Sequence, residues 1–254
     1  MKHNNYNSGN SRQKPPLLLK EIMADDSTHP TGGVDFPLVC PLCGGRDNRF
    51  AGQDSRRHFY RCASCHLVFV PPNERLSKAR ERRHYLNHQN SPTDQKYRAF
   101  LDRLFTPMNA RLPPHSHGLD FGCGPGPALH LLFEEAGHTM RCYDPYFAPQ
   151  KELLDNTYDF ITLSEVVEHL YFPGEVFSQL LQMVVEGGRI GIMTRFLLPD
   201  TPIETWFYKN DETHVCFFST QTFVCMAKQF QAQLQLEDNV AILIKPISKD
   251  TKDL

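Results

Sequence analysis

The sequence predicts an α/β protein: a mostly parallel sheet with helices on both faces, preceded by a small cysteine-bearing module. Three observations predict it. From about residue 117, short apolar runs alternate with stretches of helical spacing. A glycine-rich loop, Gly122-Cys123-Gly124-Pro125-Gly126, falls between the first of those runs and the first of those helices. Upstream, two Cys-x-x-Cys pairs stand close together in the chain.

Four segments follow from this reading. Residues 1–35 are rich in Asn, Ser, Lys, Asp, Gly and Pro, with Leu17-Leu18-Leu19 as the one apolar cluster, and are expected to be disordered. Residues 36–72 form the cysteine module, closed by Val70-Pro71-Pro72. Residues 73–114 form a helical bridge. There Ser91-Pro92-Thr93-Asp94 supplies an N-cap serine and a proline for the first turn, and Tyr97, Phe100, Leu101, Leu104 and Phe105 recur at helical spacing before Pro113-Pro114. Residues 115–254 hold the alternating units. Strands are expected at Gly118–Phe121, Thr139–Tyr143, Phe160–Leu163 and Arg189–Thr194, and helices near 127–136 and 175–185. Ser219-Thr220 caps a further helix, and Leu234–Glu237 and Val240–Pro246, joined by Asp238-Asn239, read as a terminal antiparallel hairpin.

Composition narrows the class. Of 254 residues 40% are apolar and 22% charged, and no stretch approaches the roughly 20 apolar residues of a spanning helix. The start, Met1-Lys2-His3-Asn4-Asn5, lacks the apolar segment of an export signal, which makes the cytoplasm the expected location. The net charge of −2 is uneven: residues 1–115 carry +8 and the remainder −10. The basic part could meet an anionic partner such as RNA, and Arg80, Arg82 and Arg83 form its densest cluster, although a solvated helix face explains such a run equally well.

Cys40-Pro41-Leu42-Cys43 and Cys62-Ala63-Ser64-Cys65 are separated by 18 residues. Tetrahedral Zn²⁺ takes four thiolates, and each pair can wrap two ligands around one ion, so Cys40, Cys43, Cys62 and Cys65 are read as a structural zinc ribbon. Phe59-Tyr60 and Leu67–Val70 would supply strands between and beyond the knuckles. His66 reads as a surface neighbour, and Cys123, Cys142, Cys216 and Cys225 are scattered singles.

The glycine loop lets the backbone turn and approach a ligand without interference from Cβ atoms. Asp120 lies two positions before its first glycine, and Asp144 follows Gly124 by 20 residues, where a carboxylate can accept both hydroxyls of a ribose. An acid at Asp120 suits a cationic ligand better than a pyrophosphate. With these motifs the chain resembles the class I S-adenosylmethionine-dependent methyltransferases. The residues that carry the resemblance are Leu119–Gly126, Tyr143-Asp144-Pro145, Tyr158–Leu170 and Glu186–Ile190.

The resemblance implies a Rossmann-like, seven-stranded sheet whose last strand is antiparallel, and S-adenosylmethionine as methyl donor. It implies that Asp120, Gly122, Cys123, Gly124, Gly126, Tyr143, Asp144, Pro145, Leu163 and Ser164 surround the donor. Only 14 residues separate Asp144 from Asp159, a span that in the family holds a helix and the third strand. One of these is therefore expected to be shortened, which leaves the adenine contact, with Asp155 as a candidate, open.

Methyl transfer is an in-line displacement that asks for alignment, water exclusion and, for some acceptors, removal of a proton. Glu165, Glu168 and His169 stand at i, i+3 and i+4 and would share one helix face after the fourth strand of the family's sheet. With His214, in Asn210-Asp211-Glu212-Thr213-His214-Val215, this set is similar to that of methyltransferases in which a hard divalent ion such as Mg²⁺ positions the acceptor oxygen. The plainer reading is that Glu168 and His169 hydrogen-bond neighbouring loops. His214, Glu165 and His169 are the candidate catalytic residues, and Tyr146, Phe147, Trp206, Phe207 and Tyr208 the candidate walls of the acceptor pocket. The expected function is methyl transfer to a small molecule, without membrane or obligate protein partner. The alternatives are an RNA methyltransferase that grips its substrate with the ribbon and basic segment, and a non-catalytic binding module of the same fold.

Overall fold

The computed structural model describes residues 38–86 and 90–248; the tail expected to be disordered, residues 1–35, lies outside the described residues. Two sheets share one core. The smaller contains β1 (Asn48–Gln53), β2 (His58–Cys62) and β3 (Val68–Phe69), joined by β8 (Cys216–Phe217), in the order β1-β2-β3-β8 with antiparallel pairing throughout. The larger contains β4 (His117–Phe121), β5 (Thr139–Tyr143), β6 (Tyr158–Ser164), β7 (Val184–Met193), β9 (Gln233–Glu237) and β10 (Val240–Ile244). Its order is β5-β4-β6-β7-β10-β9. Strands β4 to β7 are parallel, and β10 runs antiparallel to both β7 and β9.

Among the described residues the larger sheet has six strands, one fewer than the seven the resemblance implied, and its last strand is antiparallel as the resemblance also implied. The shortened span between Asp144 and Asp159 forms only a 3-10 turn, Lys151–Asp155, and no strand pairs with the free edge of β5 there.

The helices are α1 (Lys78–Tyr85), α2 (Gln95–Asn109), α3 (Leu129–Glu135), α4 (Pro173–Met183) and α5 (Thr220–Gln229). Side chains alternate across a strand, so neighbours enter opposite layers. Phe160 and Met140 pack with Leu101, Leu104 and Met108 of α2 and Leu129 and Phe133 of α3. Ile161, Leu163, Ile190 and Ile192 pack on the other face with α4 and α5. The cysteine module's Phe59, Leu67 and Phe69 belong to that second cluster, so the two sheets bury one another.

Helix ends follow local chemistry. Ser219 caps α5, as its sequence suggested, and the structure adds a reciprocal capping box with Thr222. The cap of α2 is a correction: Asp94, not Ser91, accepts the Lys96 N–H, and Ser91 opens the preceding turn, its carbonyl accepting the Asp94 N–H at 3.0 Å. A carboxylate at the helix entrance satisfies an orphan donor and favours the positive end of the helix dipole.

Candidate active site

In a parallel sheet a ligand crevice opens at the carboxyl ends of the strands where the strand order reverses. Here β4 pairs with β5 on one side and β6 on the other, which puts the reversal between β4 and β6. Asp120 lies at that point, with only 4% of its surface exposed. It accepts the Thr162 hydroxyl from β6 at 2.9 Å. Burial pushes its carboxyl up to about 7, Thr162 opposes that shift, and the nearby Asp144 adds to it.

The glycine loop follows. Gly122 has φ +80, and its N–H donates to the Tyr143 carbonyl at 2.7 Å. A Cβ at Gly122 would stand 2.6 Å from Val166, and one at Gly126 would stand 2.0 Å from the Asn90 carbonyl oxygen. Close backbone approach therefore explains both glycines. Asp144 is fixed from three sides: Oδ2 accepts the Gly124 N–H at 3.0 Å, and Oδ1 accepts those of Tyr146 and Phe147 at 2.8 and 3.0 Å. Burial raises its carboxyl and the three N–H groups pull it back. Cys123 lies in the same loop, Pro145 and Ser164 are half-buried, and Tyr143 and Leu163 are buried.

The Glu165 region differs from the helix the spacing suggested. Glu165 takes φ +53 directly after β6, and only a 3-10 turn, Val167–His169, follows. A non-glycine residue in the left-handed region ends the regular backbone, so the three side chains do not share a helix face. They meet other partners instead. The Tyr208 hydroxyl reaches Glu165 Oε2 at 2.9 Å and also Glu168 Oε1, and the Thr194 hydroxyl donates to Glu168 Oε2 at 2.9 Å. Glu168 is 1% exposed, and burial, with Glu165 beside it, pushes its carboxyl up to about 8. Both of its oxygens are thus hydrogen-bonded to neighbouring segments.

His214 is buried and its Nδ1 lies 2.7 Å from the Tyr208 carbonyl oxygen. An oxygen acceptor requires the proton on Nδ1, which leaves the lone pair on Nε2. Burial lowers its pKa, partly offset by Asp211, whose Oδ2 lies 3.9 Å from Nε2. His169 Nδ1 faces the Thr213 carbonyl at 3.2 Å, and the two imidazole rings meet edge to face at 4.7 Å. Asp211 is held at about 2: burial opposes ionisation, but the Thr213 hydroxyl and N–H and the two histidines outweigh it.

Ligand atoms of Glu168, His169 and His214 all lie within 4.8 Å of one another; Glu165 is not in that group. Of the aromatic walls, Tyr208 is buried, Phe207 is exposed, and Trp206 packs on Tyr208 and on Phe217 of β8.

Sequence reading missed the contribution of α1. Arg80, Arg82 and Arg83 are exposed on it, while Glu81 is buried. Glu81 accepts the hydroxyls of Tyr85 at 2.9 Å and Tyr146 at 3.1 Å, His84 Nε2 lies 3.1 Å from Asp211 Oδ2, and the Tyr85 ring meets His169. The i, i+4 spacing of Glu81 and Tyr85 was the available signal, hidden among the arginines.

The four module cysteines also converge, with all four sulfurs within 4.8 Å of one another. Cys40 and Cys65 are 3.5 Å apart, as are Cys43 and Cys62. Four ligands at 2.3 Å around a tetrahedral ion would be about 3.8 Å apart, so the donor set fits Zn²⁺, and a disulfide would be far shorter.

A family model described as a methyltransferase domain matches residues 83–236. No curated protein matches the chain. Among solved structures, the Burkholderia thailandensis 1,6-didemethyltoxoflavin-N1-methyltransferase, with 1,6-didemethyltoxoflavin and S-adenosylhomocysteine bound, is 13% identical. That match covers 78% of this chain and 100% of the other, with a TM-score of 0.49. A Haemonchus contortus phospholethanolamine N-methyltransferase 2 is 11% identical over 62% of this chain and 54% of its own, with a TM-score of 0.47. The calicheamicin-biosynthesis methyltransferase CalO1, in its S-adenosylhomocysteine-bound form, is 11% identical over 60% of this chain and 55% of its own, with a TM-score of 0.42. The chain spans about half the length of the last two proteins.

Proposed function

The chain belongs to the class I S-adenosylmethionine-dependent methyltransferases, and from that membership we propose that it methylates a small-molecule acceptor held between the glycine loop and the loop carrying His214. The observation that carries this reading is the continuous run of groups from Asp144 through Tyr146, Glu81 and Tyr85 to His169 and His214. It joins the Asp144 carboxylate beside the glycine loop to the basic nitrogen of His214 through direct contacts.

The residues fit the donor. Gly124, at φ +67, has open space where a Cβ would be, and Asp120 adds negative charge beside Asp144 as pH rises past about 7. When bound, S-adenosylmethionine would supply an electrophilic methyl on a cationic sulfur. Gly122, Gly124 and Gly126, with Cys123, would border its methionine part, Asp144 and Pro145 its ribose, and Ser164 the reacting end. His214 Nε2 would take the acceptor's proton, since its Nδ1 is committed to the Tyr208 carbonyl and burial keeps the ring neutral. Tyr208 would hold Glu165 in place, and His169 would orient the acceptor beside His214. A crevice walled by buried side chains would exclude water from the displacement.

A divalent ion such as Mg²⁺ at Glu168, His169 and His214 is a second reading, favoured by their convergence. It would polarise an acceptor oxygen. The hydrogen bonds that occupy both Glu168 oxygens support instead a role in fixing the loops. At Cys40, Cys43, Cys62 and Cys65 the proposal is one structural Zn²⁺.

The deciding experiment incubates the protein with radiolabelled methyl donor and, separately, a metabolite pool and total RNA, each with and without a chelator of hard cations. Label in a small molecule that survives chelation supports the proposal. Label in RNA would replace it with the nucleic-acid reading, loss on chelation would favour the divalent ion, and absence of donor binding in calorimetry would leave a non-catalytic module.

A further inference from the structure

We infer that Arg57 of the cysteine ribbon is a positioning residue for the acceptor side of the site, and that the ribbon serves methyl transfer by building the loop that carries His214. The inference rests on the proposed role of that histidine.

Arg57 follows the β1–β2 turn and is 6% exposed. Asp54 anchors it, accepting its N–H at 2.8 Å, Nε at 3.2 Å and Nη2 at 3.0 Å. The rest of the guanidinium leaves the ribbon altogether. Nη1 donates to the carbonyl oxygens of Asp211 and Glu212, both at 3.3 Å, and of His214 at 3.1 Å, and Nη2 donates to that of Lys209. Four carbonyls of one short loop thus turn inward to a single cation from a segment some 150 residues earlier in the chain. Carbonyl dipoles aimed at one point repel each other, and the loop closes in this shape because a planar cation with several donors fills the centre.

The next residues are also fixed by the ribbon. The Val70 N–H donates to the Val215 carbonyl at 2.9 Å, and β8 pairs with β3 through Val68–Phe217 and Phe69–Cys216. The loop so held carries both Tyr208, whose hydroxyl touches Glu165 and Glu168, and the carbonyl that fixes the His214 tautomer. Arg56, beside Arg57, pairs with Glu212 from an exposed position and serves as a control.

The test uses the full chain and three variants, Arg57→Ala, Arg57→Lys and Arg56→Ala. The readouts are hydrogen exchange by mass spectrometry, the imidazole nitrogen resonances of His214, and fluorescence of Trp206. Trp206 is the single tryptophan, with its ring 5.2 Å from that of Tyr208. In Arg57→Ala, exchange across residues 209–216 should rise on the order of tenfold, with the rest of the chain and S-adenosylmethionine affinity within about threefold of the parent. The His214 resonances should lose their single-tautomer pattern and the Trp206 emission should shift. Arg57→Lys, with one ammonium in place of a fork, should fall between, and Arg56→Ala should match the parent. Unchanged exchange and His214 resonances in Arg57→Ala would overturn the inference. So would a rise spread evenly through the ribbon and the sheets, or the same effect from Arg56→Ala. Retained methyl transfer in His214→Ala would instead sink the functional reading while leaving the exchange result intact.

Discussion

At the scale of single residues, the site depends on where protons sit. Asp120 carries the clearest consequence, because its carboxyl moves from 3.8 to about 7 through burial. The folded chain holds this proton more tightly than the unfolded chain, so the contribution of Asp120 to stability is complete below pH 3.8 and is lost as pH rises to about 7. A cationic ligand prefers the ionised form, so the sign for binding is opposite: affinity for S-adenosylmethionine should climb with pH up to about 7 and then level off. Calorimetric titration from pH 5.5 to 8.5 checks this, and Asp120→Asn should bind weakly and without that slope. An equally steep slope in Asp120→Asn would assign the effect elsewhere. For His214→Ala, transfer to the acceptor found in the screen should fall on the order of 10²- to 10⁴-fold, the usual range for removing a general base, with donor affinity retained. A smaller loss measured at saturating acceptor would remove His214 from the chemistry.

At the scale of elements, α3 shows how the sheet's second layer is secured. Phe133 is fully buried, its ring 5.0 Å from Phe105 of α2 and 4.7 Å from Phe160 of β6. Truncation to alanine leaves a cavity among three elements, and Phe133→Ala should cost about 3–5 kcal/mol in chemical denaturation. A loss under about 1 kcal/mol would mean that the layer collapses to fill the space. The α3 and β4 units were legible because their apolar spacing and the glycine loop between them are local signals, whatever packs on them later. The Glu165 segment was not: strand β6 delivers Glu165 in a left-handed conformation held by an N–H bond to the Met193 carbonyl at 2.8 Å. That bond belongs to β7, nearly thirty residues away, and no local propensity announces it.

At the scale of the whole molecule, the two sheets share one packed core. Ribbon residues Phe59, Leu67 and Phe69 share a cluster with Ile161 and Ile190 of the larger sheet, and β8 completes the ribbon from the far end of the chain. Removing the proposed zinc should therefore lower the melting temperature of the entire protein by at least about 5 °C, not melt the ribbon alone. Melting followed with and without a chelator, alongside measured zinc content, decides it; an unchanged transition after complete zinc loss would show that packing suffices. No helix among the described residues is long and apolar enough to cross a membrane, in line with the composition. By itself the sequence determined the sheet-and-helix alternation, the glycine loop with Asp120 and Asp144, the terminal hairpin and the grouping of four cysteines. Each is written in short-range spacing and in the chemistry of individual side chains. Only the tertiary structure decided that Glu81, His84 and Tyr85 face the site, that Tyr208 ties Glu165 to Glu168, and that Arg57 holds the His214 loop. Those pairings join segments far apart in the chain, and their partners are selected by burial and by unsatisfied carbonyl oxygens that exist only once the layers have packed.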